Sequence, residues 1–357
     1  MTLDELRRHA VARSLFAPRD LAGAIEALGY VQADPIRAPA RAQDLILRHR
    51  VQDYRIDDLE KQYPDLPVFE DMLHNYGFFP KSHLSLLYPR KLSPRWYVFL
   101  DKHAGLRRKV LRYLRENEEA HPRDVEKAIG SDARINGWGG TSSATTLMLE
   151  AVHREGRAHV VRRESGLRIY AQAPVLAKKL SPPARADGLI RLIVNLYAPL
   201  PTRSLKQLIS MMGHTKPEAD YGKRIELMVK RGELARHRAD HLEYVWPANE
   251  TAPEAVEDEV RMLAPFDPVV WDRRRFEHFW GWAYRFEAYT PPAKRKMGYY
   301  ALPLLWREHV IGWANASTAQ GKLKVDFGYT TKRPREAAFR VALEREVERL
   351  RRFLAPG

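Results

Sequence analysis

Helical spacing that runs out into two short β-like stretches joined by a tight turn recurs along the middle of the chain, and this recurrence limits the folds open to it. In residues 101–180, Leu106, Val110 and Leu114 fall on one helix face, and Pro122-Arg123-Asp124-Val125 reads as a second helix opening. The apolar run around Thr145-Thr146-Leu147-Met148 reads as a third helix. Strand-like runs at 158–163 and 167–172 follow, joined by Glu164-Ser165-Gly166, which has the composition of a hairpin turn. The order returns in residues 181–250. Leu189, Leu192, Ile193 and Leu196 share a helix face, Ser204 stands in a capping place after Pro201-Thr202-Arg203, and 225–231 makes a further helix. Runs at 234–238 and 242–246 then flank Ala239-Asp240-His241. Helices followed by a hairpin are the order of a winged helix, repeated in architecture and not in close sequence identity.

Residues 1–100 read as a first unit of the same kind. Leu3, Leu6 and Ala10 share one face, and a second helix with Leu21, Ile25 and Leu28 opens at Asp20, a suitable N-cap. Gly29 suits the left-handed position just past a helix end. Pro35 biases Asp34 away from the helical region, so residues 31–34 run extended. Side chains alternate along such a segment, which puts Gln32 and Asp34 on one side and Ala33 on the other. Residues 40–47 are again helical in composition. Glu70 and His74, four apart, are expected on one face of a helix, and Pro80, Pro89 and Pro94 close the unit. An acidic, Pro-containing linker spans 247–259. Residues 258–357 form a β-rich, barrel-like domain with strands expected at 284–289, 299–306, 310–316 and 323–329. Phe339, Leu343, Val347, Leu350 and Leu354 mark a terminal helix. The fold class is therefore mainly α with β (α+β): tandem winged-helix units and a small β-rich C-terminal domain.

Composition narrows the partner. Lys+Arg 60 against Asp+Glu 45 gives a formal charge of +15, which points to a polyanion, with nucleic acid first. With Cys 0, disulfides, zinc–cysteine sites and thiol catalysis are excluded. No apolar run approaches a membrane span of about 20 residues, and the first residues lack a signal-peptide core. A cytoplasmic, nucleoid-associated protein is expected, with no membrane partner, no cofactor and no metal. Glu70 and His74 lack a third ligand. No dimer element stands out, so a monomer is expected.

The expected wings are basic, with Arg162-Arg163 and Arg168 in one and Arg236 and Arg238 in the other. Gly139-Gly140-Thr141-Ser142, at a helix start, offers N–H groups and hydroxyls to a phosphate but lacks the Lys ending of a P-loop. Lys294-Arg295-Lys296 reads as the tip of a basic hairpin. These features alone would also suit a non-catalytic winged-helix DNA-binding transcriptional regulator, though that role requires nothing of Gln32 and Asp34.

Several stretches together resemble the AlkZ/YcaQ-type winged-helix DNA glycosylases. Gln32-Ala33-Asp34 matches the Gln–apolar–Asp form of the family's active-site motif, and Ile36 and Ala40-Arg41 fit its continuation. The stretch from Phe69-Glu70 to His74 is similar to its Glu–aromatic–x–x–His segment. Trp138-Gly139-Gly140, Leu149-Glu150 and Arg162-Arg163 through Gly166, Arg168 and Tyr170 are similar to its second winged helix. The most specific likeness is C-terminal: Pro265-Phe266-Asp267, Asp272-Arg273, Tyr284-Arg285, Glu287-x-Tyr289, Lys294-Arg295 and Gly298-Tyr299-Tyr300-x-Leu302-Pro303. The chain departs from the pattern at Pro35 and Arg37, at Asp71-Met72, and at Gln43, where a His is common. The resemblance implies a glycosylase acting on cationic alkylated purines, with interstrand-crosslink unhooking included, and because no lysine lies within the motif a monofunctional enzyme is expected. Asp34 would assist on the sugar and Gln32 would position. Double-stranded DNA would meet Arg37, Arg41, His74, Thr141, Ser142, Arg162, Arg163, Lys294, Arg295 and Lys296.

Overall fold

The computed structural model describes residues 1–130, 133–135, 141–164, 166–176, 179–319 and 322–355. It is α+β. The helices Leu3–Ser14 and Leu21–Leu28 open the chain, the second capped by the Asp20 carboxylate on the Gly23 N–H and closed by Gly29 at φ 71°. A two-residue strand, Val31–Gln32, then joins a three-stranded antiparallel sheet with Val68–Met72 and Tyr76–Pro80, the last strand lying in the centre.

That sheet corrects the reading of Glu70 and His74. Glu70 lies in a strand and His74 in the turn that follows, where a shared helix face was expected. The physical reason is burial on both faces. Both strands are almost wholly buried, so the apolar–polar alternation that would announce them is missing. Gly77 is required there, since a Cβ would lie 2.4 Å from the Tyr30 ring and from the Val31 carbonyl.

The helices Ala104–Glu116, Pro122–Ile129 and Ala144–Arg154 lead into the hairpin Ala158–Glu164/Leu167–Gln172. The last helix is capped by the Ser143 hydroxyl. Thr141 and Ser142 stand before it in a short strand, Thr141–Ser143, and not at the helix start. Residues 138–140 and Ser165 lie outside the described residues. The helices Pro182–Tyr197, Thr202–Met211 and Tyr221–Lys230 lead likewise into Leu234–Ala239/Leu242–Pro247. The helix at Thr202 begins before Ser204, whose hydroxyl accepts from Arg274 instead of capping.

The C-terminal part is a curled four-stranded half-barrel, antiparallel in the order Val260–Met262, Leu302–Trp306, His309–Ala319, Lys322–Tyr329. The helix Ala337–Leu354 packs against it, the Phe339 ring meeting Trp306 and Tyr329, while Phe353 stacks on Tyr54. Residues 284–289 are not a strand. The basic run beside them is no hairpin tip: a short 3-10 turn, Pro292–Lys294, leads into an irregular loop. Pro291 and Pro292 carry no N–H for a ladder, and the buried Glu287 carboxylate takes the N–H groups of Lys296 (2.8 Å) and Met297 (2.8 Å). Among the described residues no helix is long and apolar enough to cross a membrane.

Polar joints bind distant parts of the chain. Glu250 accepts from Arg13 (2.7 Å) and contacts His9 (3.0 Å), tying the first helix to the end of the 234–247 hairpin. Burial alone would raise the Glu250 carboxyl, but the hydrogen bonds from Arg13 and His9 outweigh it and bring it down to about 2. A depressed carboxyl stabilises the fold above its unfolded value and loses that contribution as pH falls toward the folded value. Glu250→Gln is therefore expected to lower stability by about 1 kcal/mol at neutral pH, the figure reduced for the pair's partial solvent exposure. Urea unfolding should show this difference closing between about pH 4.5 and pH 2, and a difference that persists at pH 2 would rule the ionic account out.

Candidate active site

Gln32 and Asp34 stand where the chain leaves its short strand beside the central strand Tyr76–Pro80. Gln32 is 5% exposed, its backbone opposite Gly77. Its side-chain oxygen accepts from the Trp271 indole N–H at 2.9 Å and from the Asn75 amide at 3.3 Å. The indole can only donate, so the oxygen must face it and the NH₂ group must face away. The amide's orientation is thus set by chemistry, and its two donors take no partner among the described residues.

Asp34 is half-buried. One carboxylate oxygen accepts from the Ile36 N–H at 2.9 Å, a local turn closed across Pro35. Its own N–H donates to the Gln43 side-chain oxygen at 3.2 Å, which anchors the segment to the helix Ala42–Leu47. The second carboxylate oxygen takes no hydrogen bond among the described residues. Burial raises the Asp34 carboxyl above the ordinary aspartate value, and the Ile36 N–H opposes that rise. The Tyr300 hydroxyl is buried with no hydrogen-bond partner among the described residues. Burial first, and then the charge of Asp34, hold its proton on well above the usual tyrosine range.

Behind Gln32 lies an aromatic brace. The His74 ring sits 4.8 Å from Trp271, 5.4 Å from Tyr30 and 5.9 Å from Tyr197, and its Nε2 meets the Tyr197 hydroxyl at 3.1 Å. Burial lowers its pKa to about 3, so the ring is neutral. His74 therefore packs against Trp271 from within; the resemblance implied a contact to DNA. The loop that carries Trp271 is itself pinned. Asp267 and Arg50 form a fully buried bidentate pair at 2.8 and 2.9 Å, and Asp267 also accepts from the Val269 N–H. Arg275, also fully buried, donates to the Tyr197, Pro199, Pro268 and Val269 carbonyls.

The expected DNA-contacting cations divide sharply. Arg37 is bidentate to Asp57 at 3.2 Å, and Arg41 pairs with Glu60 and lies 3.9 Å from Asp57. Arg163 is bidentate to the buried Glu70, and Arg162 binds Glu119 and Glu164. Lys294 and Lys296 are exposed and have no ion-pair partner among the described residues. Arg295 donates to the Thr290 carbonyl at 2.8 Å and lies 5.0 Å over the Tyr299 ring. Side chains at Thr141 and Ser142 are outside the described residues. Among the described residues no group of three or more His, Asp or Glu is placed to hold a metal ion.

Trp271, Asn75 and Gln43 were not found from sequence. Trp271 and Gln32 are 239 residues apart, and no local pattern links them. Gln43 did carry a signal, as a departure from a familiar pattern, but its grip on the Asp34 backbone needs the fold.

A half-buried carboxylate with a free oxygen, beside an amide with free donors, in a protein of net charge +15, has the parts for hydrolysing a bond within a polyanion. The class is DNA glycosylase: a family model described as DNA glycosylase AlkZ-like matches residues 25–353, nearly the whole chain, and the chain belongs to that family.

Proposed function

We propose that this glycosylase hydrolyses the N-glycosidic bond of cationic alkylated purines of the N7-alkylguanine type, interstrand crosslinks through such a base included. The observation that carries the reading is the free carboxylate oxygen of Asp34 beside an amide whose NH₂ is turned outward. A purine alkylated at N7 already bears positive charge and leaves without a strong general acid. As the glycosidic bond breaks, its electron pair moves into the purine ring, which becomes neutral, and positive charge develops on the sugar. The Asp34 carboxylate stabilises that charge and takes a proton from the water whose oxygen bonds to C1′. Gln32 donates from its NH₂ to that water or to the sugar, and Trp271 and Asn75 keep it aimed. No lysine stands in the motif, so the product is an abasic site. Lys294 and Lys296 meet phosphates directly, Arg295 stiffens their loop, and Thr141 and Ser142 are phosphate contacts proposed from sequence alone. Arg37, Arg41, Arg162 and Arg163 join only by exchanging their carboxylate partners for phosphates.

The test is release of free N7-methylguanine from a duplex, followed by mass, with Asp34→Asn as the control. Equal background from both proteins would end the proposal for that lesion. Tight binding to one undamaged operator without any base release would favour a regulator instead. Strand cleavage only after alkali is the outcome expected of a monofunctional enzyme.

Trp271→Phe isolates the positioning of Gln32. It keeps an aromatic ring against His74 but deletes the indole N–H, a loss of about 1 kcal/mol and so about a fivefold drop in the single-turnover rate. Duplex affinity and the acid limb of the pH profile should not move. A change in affinity with an unchanged rate would assign Trp271 to DNA binding.

A further inference from the structure

Arg37, Arg41, Arg162 and Arg163 are spent on internal carboxylates, whereas the helix Ala104–Glu116 carries arginines that are not. Arg108, Arg112 and Arg115 recur at i, i+4 and i+7, so they line one face over about 10 Å of helix. All are exposed, as is Arg157 at the foot of the hairpin Ala158–Glu164/Leu167–Gln172, and none of these has an ion-pair partner among the described residues. The neighbouring Arg107, by contrast, is paired with Glu155. These four arginines, with Leu111, Leu114 and Ala173 among others, line a groove of about 490 Å³ between this helix and the residues that follow the hairpin. Like charges at i, i+4 destabilise a bare helix by a few tenths of a kcal/mol each, so the arrangement is one that an anion relieves.

We propose that this groove is a second duplex-binding site that holds the phosphate backbone away from the lesion. The inference rests on the DNA-directed function, and it separates the grip on the helix from the chemistry. The hairpin gives the distance. Its tip leans on the catalytic unit, where Arg163 binds Glu70 and Gly166 lies against Arg41, while the groove is at its base. Six residue steps of strand put about 20 Å between them. Duplex DNA carries one charge per about 1.7 Å of axis on its two strands together, so a 10 Å arginine track runs along about three phosphate charges of one strand. A protein holding DNA at both places spans the damaged nucleotide and backbone well to one side of it.

The test uses the full chain and an undamaged, fluorescein-labelled duplex of about 30 base pairs, with anisotropy titrations across a salt series. The triple variant Arg108→Gln/Arg112→Gln/Arg115→Gln should bind at least about tenfold more weakly near 0.1 M salt, and the slope of log K against log salt should fall by about 2 to 3. Lysine at the same three positions should restore most of both, because the positive charge and not the shape is what matters. A charge-matched control, Arg340→Gln/Arg351→Gln/Arg352→Gln on the exposed face of the C-terminal helix, should leave the slope near wild type. A slope unchanged in the first variant, or lost equally in the control, overturns the proposal. Base release is not part of the readout, so the groove and the glycosylase chemistry stand or fall separately.

Discussion

Asp34→Asn is expected to lower the single-turnover rate of base release by about 10² to 10⁴, the range set by loss of a positioned base. The substituted amide keeps an oxygen for the Ile36 N–H, so the turn across Pro35 and the tie to Gln43 survive. What is lost is the negative charge on the free oxygen, which is why the effect should fall on the rate and not on affinity for duplex DNA. The pH profile sharpens the expectation. Burial raises the Asp34 carboxyl and only the Ile36 N–H works against it, so the carboxylate takes up its proton at a higher pH than free aspartate would. The reactive form is the ionised one, and the rate should therefore fall on acidification with a midpoint above about 3.9, each further unit costing tenfold. The Asn variant should show no such limb. A wild-type rate that stays flat through that region, or a variant that shares its limb, would remove Asp34 from the role of base.

How much of this was legible in the sequence follows from how far each determinant reaches. The segment that presents Gln32 and Asp34 is framed locally, by Gly29 closing one helix and Pro35 forbidding the next. Both act on their own dihedral angles wherever the rest of the chain goes. The helices with apolar stripes and the hairpins at Ala158–Gln172 and Leu234–Pro247 were legible for the same reason. The hairpin at Val68–Pro80 was not, because strands buried on both sides show no alternation, and four-residue spacing between Glu70 and His74 then passes for a helix face. Charge was the least informative signal of all. Composition counts Arg41 and Arg163 equally with Arg108 and Arg112, yet the first two are neutralised by Glu60 and Glu70, and only the folded chain shows which cations are left over. Trp271 belongs to the same category, its meaning residing wholly in a contact across 239 residues.

Asp267→Asn should lower stability by about 3 to 5 kcal/mol, because it strands the fully buried Arg50 charge without its partner. Both side chains are fully buried, Arg50 gives two further donors to the Ser14 and Ile46 carbonyls, and among the described residues no second carboxylate pairs with it. The damage should also reach the site, because an Asn must set its NH₂ group against one of the two Arg50 donors and so disturbs the pair that holds the turn. Asp267 accepts from the Val269 N–H and so shapes the turn that delivers Trp271 to Gln32, with Arg275 clamping the same turn from the Pro268 and Val269 carbonyls. Stability and alignment are separable by replacing both partners. Arg50→Met with Asp267→Leu leaves no unpaired charge and should recover much of the stability, since a buried ion pair is worth little more than apolar groups of similar size. It cannot restore the acceptor for Val269, so base release should stay low in the double variant even where urea unfolding returns toward wild type. A single variant within 1 kcal/mol of wild type would show that the pair is not the clamp it resembles. A double variant with full activity would show that the Trp271 turn holds without Asp267.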